Sequence, residues 1–190
     1  MKVRRRLEGS VEPINHGFAN ALVSMRGAPR PWKPTEGKHM RNDDSSSKAR
    51  GDISSELDAL TSALLGDALD MLADGEDLNV LLVVESANGE VSPFEFSDDG
   101  PEELLEGARS KVRELGKEGH AGGAAPVRYA IAYEGAVADE AGAFQDSVIV
   151  EFGERGRTSY SAFSYVEGKG SGDGFRWSDP APAGVTESLL

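Results

Sequence analysis

Leu78-Asn79-Val80-Leu81-Leu82-Val83-Val84-Glu85-Ser86-Ala87-Asn88-Gly89-Glu90-Val91-Ser92-Pro93-Phe94-Glu95-Phe96 is the stretch whose reading decides the fold. Five consecutive aliphatics, Val80–Val84, three of them valine, predict a strand covered on both faces. Asn88-Gly89 marks a hairpin, because a two-residue type I′ turn needs positive φ at both central positions. The return strand runs to about Phe96, with Phe94 and Phe96 on one face and Glu95 on the other. Pro93 cannot donate a ladder bond, so this strand is expected at an edge or with a bulge.

On the N-terminal side, a helix is expected over residues 52–74. Asp52 or Ser54 can cap it, and Glu56 suits the positive dipole end. Leu57, Leu60, Leu64, Ala68 and Met71 fall at steps of three and four and form one apolar stripe, widened by Leu65, Leu69 and Leu72. Gly75 is the expected stop. On the C-terminal side, Ser97-Asp98-Asp99-Gly100-Pro101-Glu102-Glu103 offers cap residues, a first-turn proline and two acids at a helix start. Leu104, Leu105, Ala108, Val112 and Leu115 supply its buried stripe, and Gly116 is expected to end it. A glycine-rich connector follows, Lys117–Ala125.

Three further strands complete the pattern. Val127, Tyr129, Ile131 and Tyr133 alternate with Arg128, Ala130, Ala132 and Glu134. Val148, Val150 and Phe152 share a face of the next strand, and Arg157–Val166 is rich in aromatic and hydroxyl residues. Turns at Asp139–Gly142 and Glu154–Gly156 make a meander, and Phe175-Arg176-Trp177 adds one short strand. The order α-β-β-α-β-β-β defines an α+β class: an antiparallel sheet of about five strands with both helices on one face. This order resembles the roadblock and profilin-like arrangement, without its final helix; the resemblance covers the body only, rests on element order alone and inclines the functional reading toward an adaptor.

Charge and composition divide the chain into residues 1–51, residues 52–180 and a tail, 181–190, expected to be flexible. Residues 1–51 carry 11 Lys+Arg against 5 Asp+Glu, and the remainder carries 9 against 28. The leader is expected to be disordered: Pro29, Pro31 and Pro34 forbid regular structure, and Asp43–Lys48 is polar and low in complexity. Its abrupt change of composition raises the expectation that translation starts at Met25 or Met40. The chain has no cysteine, which removes disulfides, thiolate metal sites and thiol nucleophiles. No apolar run reaches the roughly 18–20 residues that span a bilayer, and the basic Met1–Arg6 start lacks the apolar stretch of a signal peptide. The expected setting is the cytoplasm, and the Ala/Gly/Glu/Asp-rich composition is read as bacterial. The acidic body excludes nucleic acid and anionic membrane as its partners and favours a basic protein.

No catalytic residue, metal or cofactor is assigned. His120 is the one histidine of the body, in Gly116–Gly123, a loop that leaves a helix C-terminus and lacks a phosphate loop's Lys-Ser/Thr ending. Candidate binding residues are of three kinds. Tyr129 and Tyr133 share a strand face opposite two alanines and would be open to a partner if both helices lay on the alanine side. Glu85, Glu134 and Glu151 each end an apolar run, where paired carboxylates bind cations or act as acid and base. Arg155 and Arg157 flank Gly156 at a strand connection and could grip a carboxylate or phosphate. The reading adopted is a non-catalytic protein-interaction domain of adaptor, immunity or chaperone type, using its acidic surface and sheet face, with a basic protein or a second copy of itself as partner. The alternative is a small-ligand-binding protein or enzyme built on the strand-end glutamates and the Arg155/Arg157 hairpin.

Overall fold

A computed structural model describes residues 2–4, 53–97, 100–118 and 124–190. It is an α+β fold with an antiparallel sheet and two helices. Strand β1 (Lys2–Arg4) is followed by helix α1 (Ser55–Asp74), β2 (Val80–Ser86), β3 (Val91–Ser97) and helix α2 (Pro101–Glu118). Then come β4 (Pro126–Ala138), β5 (Phe144–Glu154), β6 (Ser159–Glu167), a 3-10 turn at Gly172–Gly174, β7 (Arg176–Trp177) and β8 (Ala181–Thr186). The sheet order is β1-β3-β2-β4-β5-β6-β7, and β8 also pairs with β6. The expected α-β-β-α-β-β-β order is therefore present, and the strands β1, β7 and β8 extend it.

The helices lie on opposite faces of the sheet, not on one. Leu57, Leu64, Ala68 and Leu72 of α1 pack on Val83, Ala130, Ala132, Val148 and Val150. Leu104, Ala108 and Val112 of α2 pack on Val80, Leu82, Val84, Tyr129 and Ile131. The reason lies in β2, whose neighbouring residues Val83 and Val84 enter different cores. A central strand with an apolar residue on each face needs cover on both, and one helix supplies each.

α1 begins where the Ser54 side chain accepts the Leu57 N–H at 3.1 Å. It ends at Gly75, in the left-handed region at φ 81°, with Glu76 N–H donating to the Met71 carbonyl and Gly75 N–H to that of Leu72. The Leu72 carbonyl also accepts the N–H of Gly170. A Cβ on Gly75 would sit 3.0 Å from Gly170 Cα, so two backbones meet here in direct contact. The Asn88-Gly89 hairpin is one residue longer than a type I′ turn. Gly89 N–H donates to the Ser86 carbonyl and Ser86 N–H to that of Glu90, which leaves a three-residue loop with Gly89 at φ 81°.

Two expected ends move outward. α2 continues through Gly116 to Glu118, and the bare glycine there is where Leu190 approaches: a Cβ would come within 3.1 Å of its side chain. The tail is not frayed. Residues 181–186 pair with β6, and Leu189, 7% exposed, enters the α2 core. Lys2–Arg4 of the leader pairs with β3; the remaining leader, the alternative starts Met25 and Met40, and His120 lie outside the described residues. Leu189→Ala is expected to lower stability by about 2–3 kcal/mol, read as a lower urea midpoint of the full chain; an unchanged midpoint would mean a frayed tail after all.

Candidate functional site

Alternation along β4 decides the fate of the two tyrosines. Even-numbered residues face α1 and odd-numbered ones face α2, so Tyr129 and Tyr133 point toward α2. Tyr129 is 1% exposed, and Tyr133 is half-buried. The open tyrosine face expected from the sequence is therefore closed at Tyr129 by α2 and by the C-terminal residues Leu189 and Leu190. Burial pushes the Tyr129 hydroxyl's pKa up, and the neighbouring hydroxyls of Ser159 and Thr186 draw it back. Tyr129 and Ser159 meet at Gly153, where a side chain would collide with both.

The three strand-end glutamates do not converge. Glu151, 5% exposed, lies under α2. Its carboxylate accepts both Nε and Nη2 of Arg109, and the Tyr133 hydroxyl at 3.0 Å. The bidentate contact holds the Arg109 guanidinium pKa up. Burial, the Glu151 charge and the hydrogen bond to it push the Tyr133 phenol well above its ordinary value. Glu85 and Glu154 share Arg128, at 3.2 and 3.0 Å. Glu134 accepts from Lys169, which also reaches Asp77, each at 3.2 Å. Glu85 pairs in register with Arg128, so it sits six residues along β4 from Glu134, about 20 Å at strand rise. Glu151 is on the other face.

The two arginines of the β5–β6 connection are also engaged internally. Arg155 Nη2 donates to the carbonyls of Gly116 at 3.2 Å and Pro126 at 3.0 Å. A cation there suits the last turn of α2, where the helix dipole is negative. Arg157 lies 3.2 Å from Glu154. Among the described residues, no group of three or more His, Cys, Asp or Glu is arranged to hold a metal ion, and no helix is long and apolar enough to cross a membrane.

A wide open concavity lies on another part of the surface. α1 packs mainly on β4 and β5, so the α1-side face of β3 is left uncovered. Val91 and Pro93 are exposed there, while Ser92, Phe94 and Phe96 are buried beneath α2. Between this face and the second half of α1 runs a groove of about 740 Å³. Leu81, Pro93 and Met71 give it apolar surface, and Asp67, Asp70, Asp74, Glu76, Asp77 and Glu95 line it with no lysine or arginine among the lining residues. Glu95 is held by Asn79 Nδ2 at 3.0 Å. The pKa of Asp70 is raised, first by desolvation and then by the charges of Asp67 and Asp74. Sequence reading noted the body's acidity but not this cluster. The legible signal was α1 itself, with five acids and no base in Ser55–Asp74. Asp67, Asp70 and Asp74 are spaced three and four apart on one face.

No family model matches the chain, and no curated protein or solved structure matches it significantly.

Removing one partner of the Glu151 pair strands a buried charge. Arg109→Met is expected to cost about 2–3 kcal/mol, below the full penalty of a buried pair because the Arg109 side chain is 32% exposed. Adding Glu151→Leu to it should restore most of that loss. A double-mutant cycle by urea denaturation checks both; additive losses would show that the two side chains do not interact.

Proposed function

We propose that this chain is a non-catalytic protein-interaction domain whose binding surface is the groove between α1 and β3, and that its partner presents a basic segment with an apolar anchor. The carrying observation is the groove's composition: six carboxylates and no cation among its lining residues, with Asp77 alone of the six reached by a lysine, Lys169, and apolar surface from Leu81, Pro93 and Met71. Two features of α1 support the reading. Asp70 and Asp74 stand in its last turns, where the dipole is negative and acids are unfavourable. Asp70 is also partly desolvated and stands beside the charges of Asp67 and Asp74, and these effects, in that order, raise its pKa. A bound lysine or arginine would relieve both costs at once. The glutamates and arginines of the ligand-binding alternative each have an internal partner, which leaves that reading with less support.

The probe is a synthetic peptide alternating lysine and leucine, titrated into the full chain by fluorescence anisotropy. Binding is expected to weaken as salt rises, since the attraction is between opposite charges. The triple variant Asp67→Asn, Asp70→Asn, Asp74→Asn should bind about tenfold more weakly, equivalent to about 1.4 kcal/mol. A control neutralising Glu102, Glu103 and Glu114 of α2 should bind as the parent does. Equal weakening in both variants would mean unspecific charge attraction and would overturn the assignment of the groove.

Asp70 also gives a pH signature. Its folded pKa lies above the ordinary 3.8, so folding favours its protonated form. The resulting penalty is absent below the unfolded value and grows as pH rises through the folded one. Asp70→Asn should therefore raise the melting temperature at pH 7, by the equivalent of about 0.3–0.5 kcal/mol. That gain should vanish below about pH 3.8. A gain that persists in acid would show that charge is not its cause.

A further inference from the structure

β4 and β5 run on past the helices as a two-stranded arm. β2 pairs with β4 only as far as Ala132, and β6 reaches β5 only as far as Ser147. The arm itself continues through Ala138↔Phe144. An isolated hairpin is marginal in water, yet this one is braced. The Asp139 carboxylate accepts the N–H groups of Ala141 and Ala143, at 2.9 Å each, and Gln145 Nε2 at 3.0 Å. The Tyr165 hydroxyl donates to the Ala138 carbonyl at 3.1 Å.

The outer edge of this arm is Gly135-Ala136-Val137-Ala138, paired with no strand on that side among the described residues. Arg155 N–H donates to the Val127 carbonyl at one end of the β4–β5 ladder, and Asp139 N–H to the Ala143 carbonyl at the other. Antiparallel alternation between these two fixed points turns the odd-numbered backbone groups of β4 toward β5. The N–H and carbonyl of Ala136, and the N–H of Ala138, therefore face the open edge. Natural edges are protected by charge, proline or a bulge; Gly135–Ala138 carries no charge and no proline, and its register with β5 is unbroken. On the neighbouring strand Phe144 is 75% exposed.

We propose that the Gly135–Ala138 edge pairs with the same edge of a second copy of this chain, across a two-fold axis centred on Ala136. Three observations select a second copy over a foreign strand. Antiparallel pairing about Ala136 exchanges two N–H···O bonds between the alanines and gives each Ala138 N–H the Glu134 carbonyl of the other copy. The same register sets Gly135 opposite Val137 and Glu134 opposite Ala138, so no like charges face each other. Finally, Glu134, the charged residue nearest this edge, is paired with Lys169, which lessens the repulsion between two acidic bodies where they meet. Phe144, paired in register with Ala138, would then lie one strand away from the second copy.

Sedimentation velocity of the full chain tests this. A reversible dimer is expected, tighter at about 0.5 M than at about 0.1 M salt, because screening weakens the repulsion between acidic bodies. Ala136→Pro removes a donor that bonds to nothing among the described residues. It should leave the circular dichroism spectrum and the urea midpoint unchanged while raising the dimer dissociation constant at least tenfold. Ala136→Asp, at an exposed position, would place two carboxylates face to face at the axis and should have the same effect. A chain that remains monomeric across concentration and salt overturns the proposal. So does a dimer that both variants leave equally tight, since its interface would lie elsewhere.

Discussion

The whole arrangement depends on one strand that cannot turn either face to water. β2 sends Val83 into one core and Val80, Leu82 and Val84 into the other, so neither helix is dispensable. β4 beside it is sorted by residue size. Ala130 and Ala132 lie under α1, and Tyr129 and Ile131 under α2. The alanines present small side chains to α1, and larger ones fill the layer beneath α2. In the space between α2 and β5, the Arg109–Glu151–Tyr133 group satisfies its own charges and hydrogen bonds, the condition on which buried ions are tolerated at all.

Cation scarcity shapes the surface as much as the core does. The body has few basic residues to set against its carboxylates, and several serve architecture. Arg109 fastens α2 to the sheet, Arg128 joins β2, β4 and β5, Arg113 ties α2 to Glu187, and Lys169 joins β4 to the turn after α1. Carboxylates without such partners gather on the outer face of α1, where a helix free of bases borders the uncovered side of β3. The groove's negative character and the sheet's internal order thus have one origin, the placement of a limited supply of positive charge.

Legibility in the sequence followed locality. The α1 stripe, its cap to one of Asp52 and Ser54, its stop at Gly75, the two-faced run of β2 and the alternation of β4 were all readable, because each depends on neighbours a few residues away. What escaped depends on distant partners. Gly116 reads as a helix stop, yet α2 passes through it, and the missing side chain leaves the space that Leu190 occupies. The Pro- and Gly-containing Ala181–Thr186 looks like a tail, but β6 has an open edge for it. The two-faced burial of Val80–Val84 already implied a layer on each side, and placing both helices on the alanine side contradicted it. The candidate site was legible only in part. Its charge was visible in composition, whereas its position follows from which strands α1 covers, and single-sequence periodicity does not contain that.

The insertion of Leu189 and Leu190 beside α2 also bears on the order in which the molecule assembles during synthesis. Chains emerge from the ribosome N-terminus first, at about 5–20 residues per second. α2 and the strands beneath it are complete well before residue 181 appears, yet the α2 core is closed by Leu189, and the Ser159–Phe163 part of β6 gains its outer partner only with β8. On that scale the nascent domain presents an unsealed apolar seam at α2 and, for about a second or more, a bare strand edge at β6, a window in which a chaperone or a neighbouring nascent chain would find it most receptive.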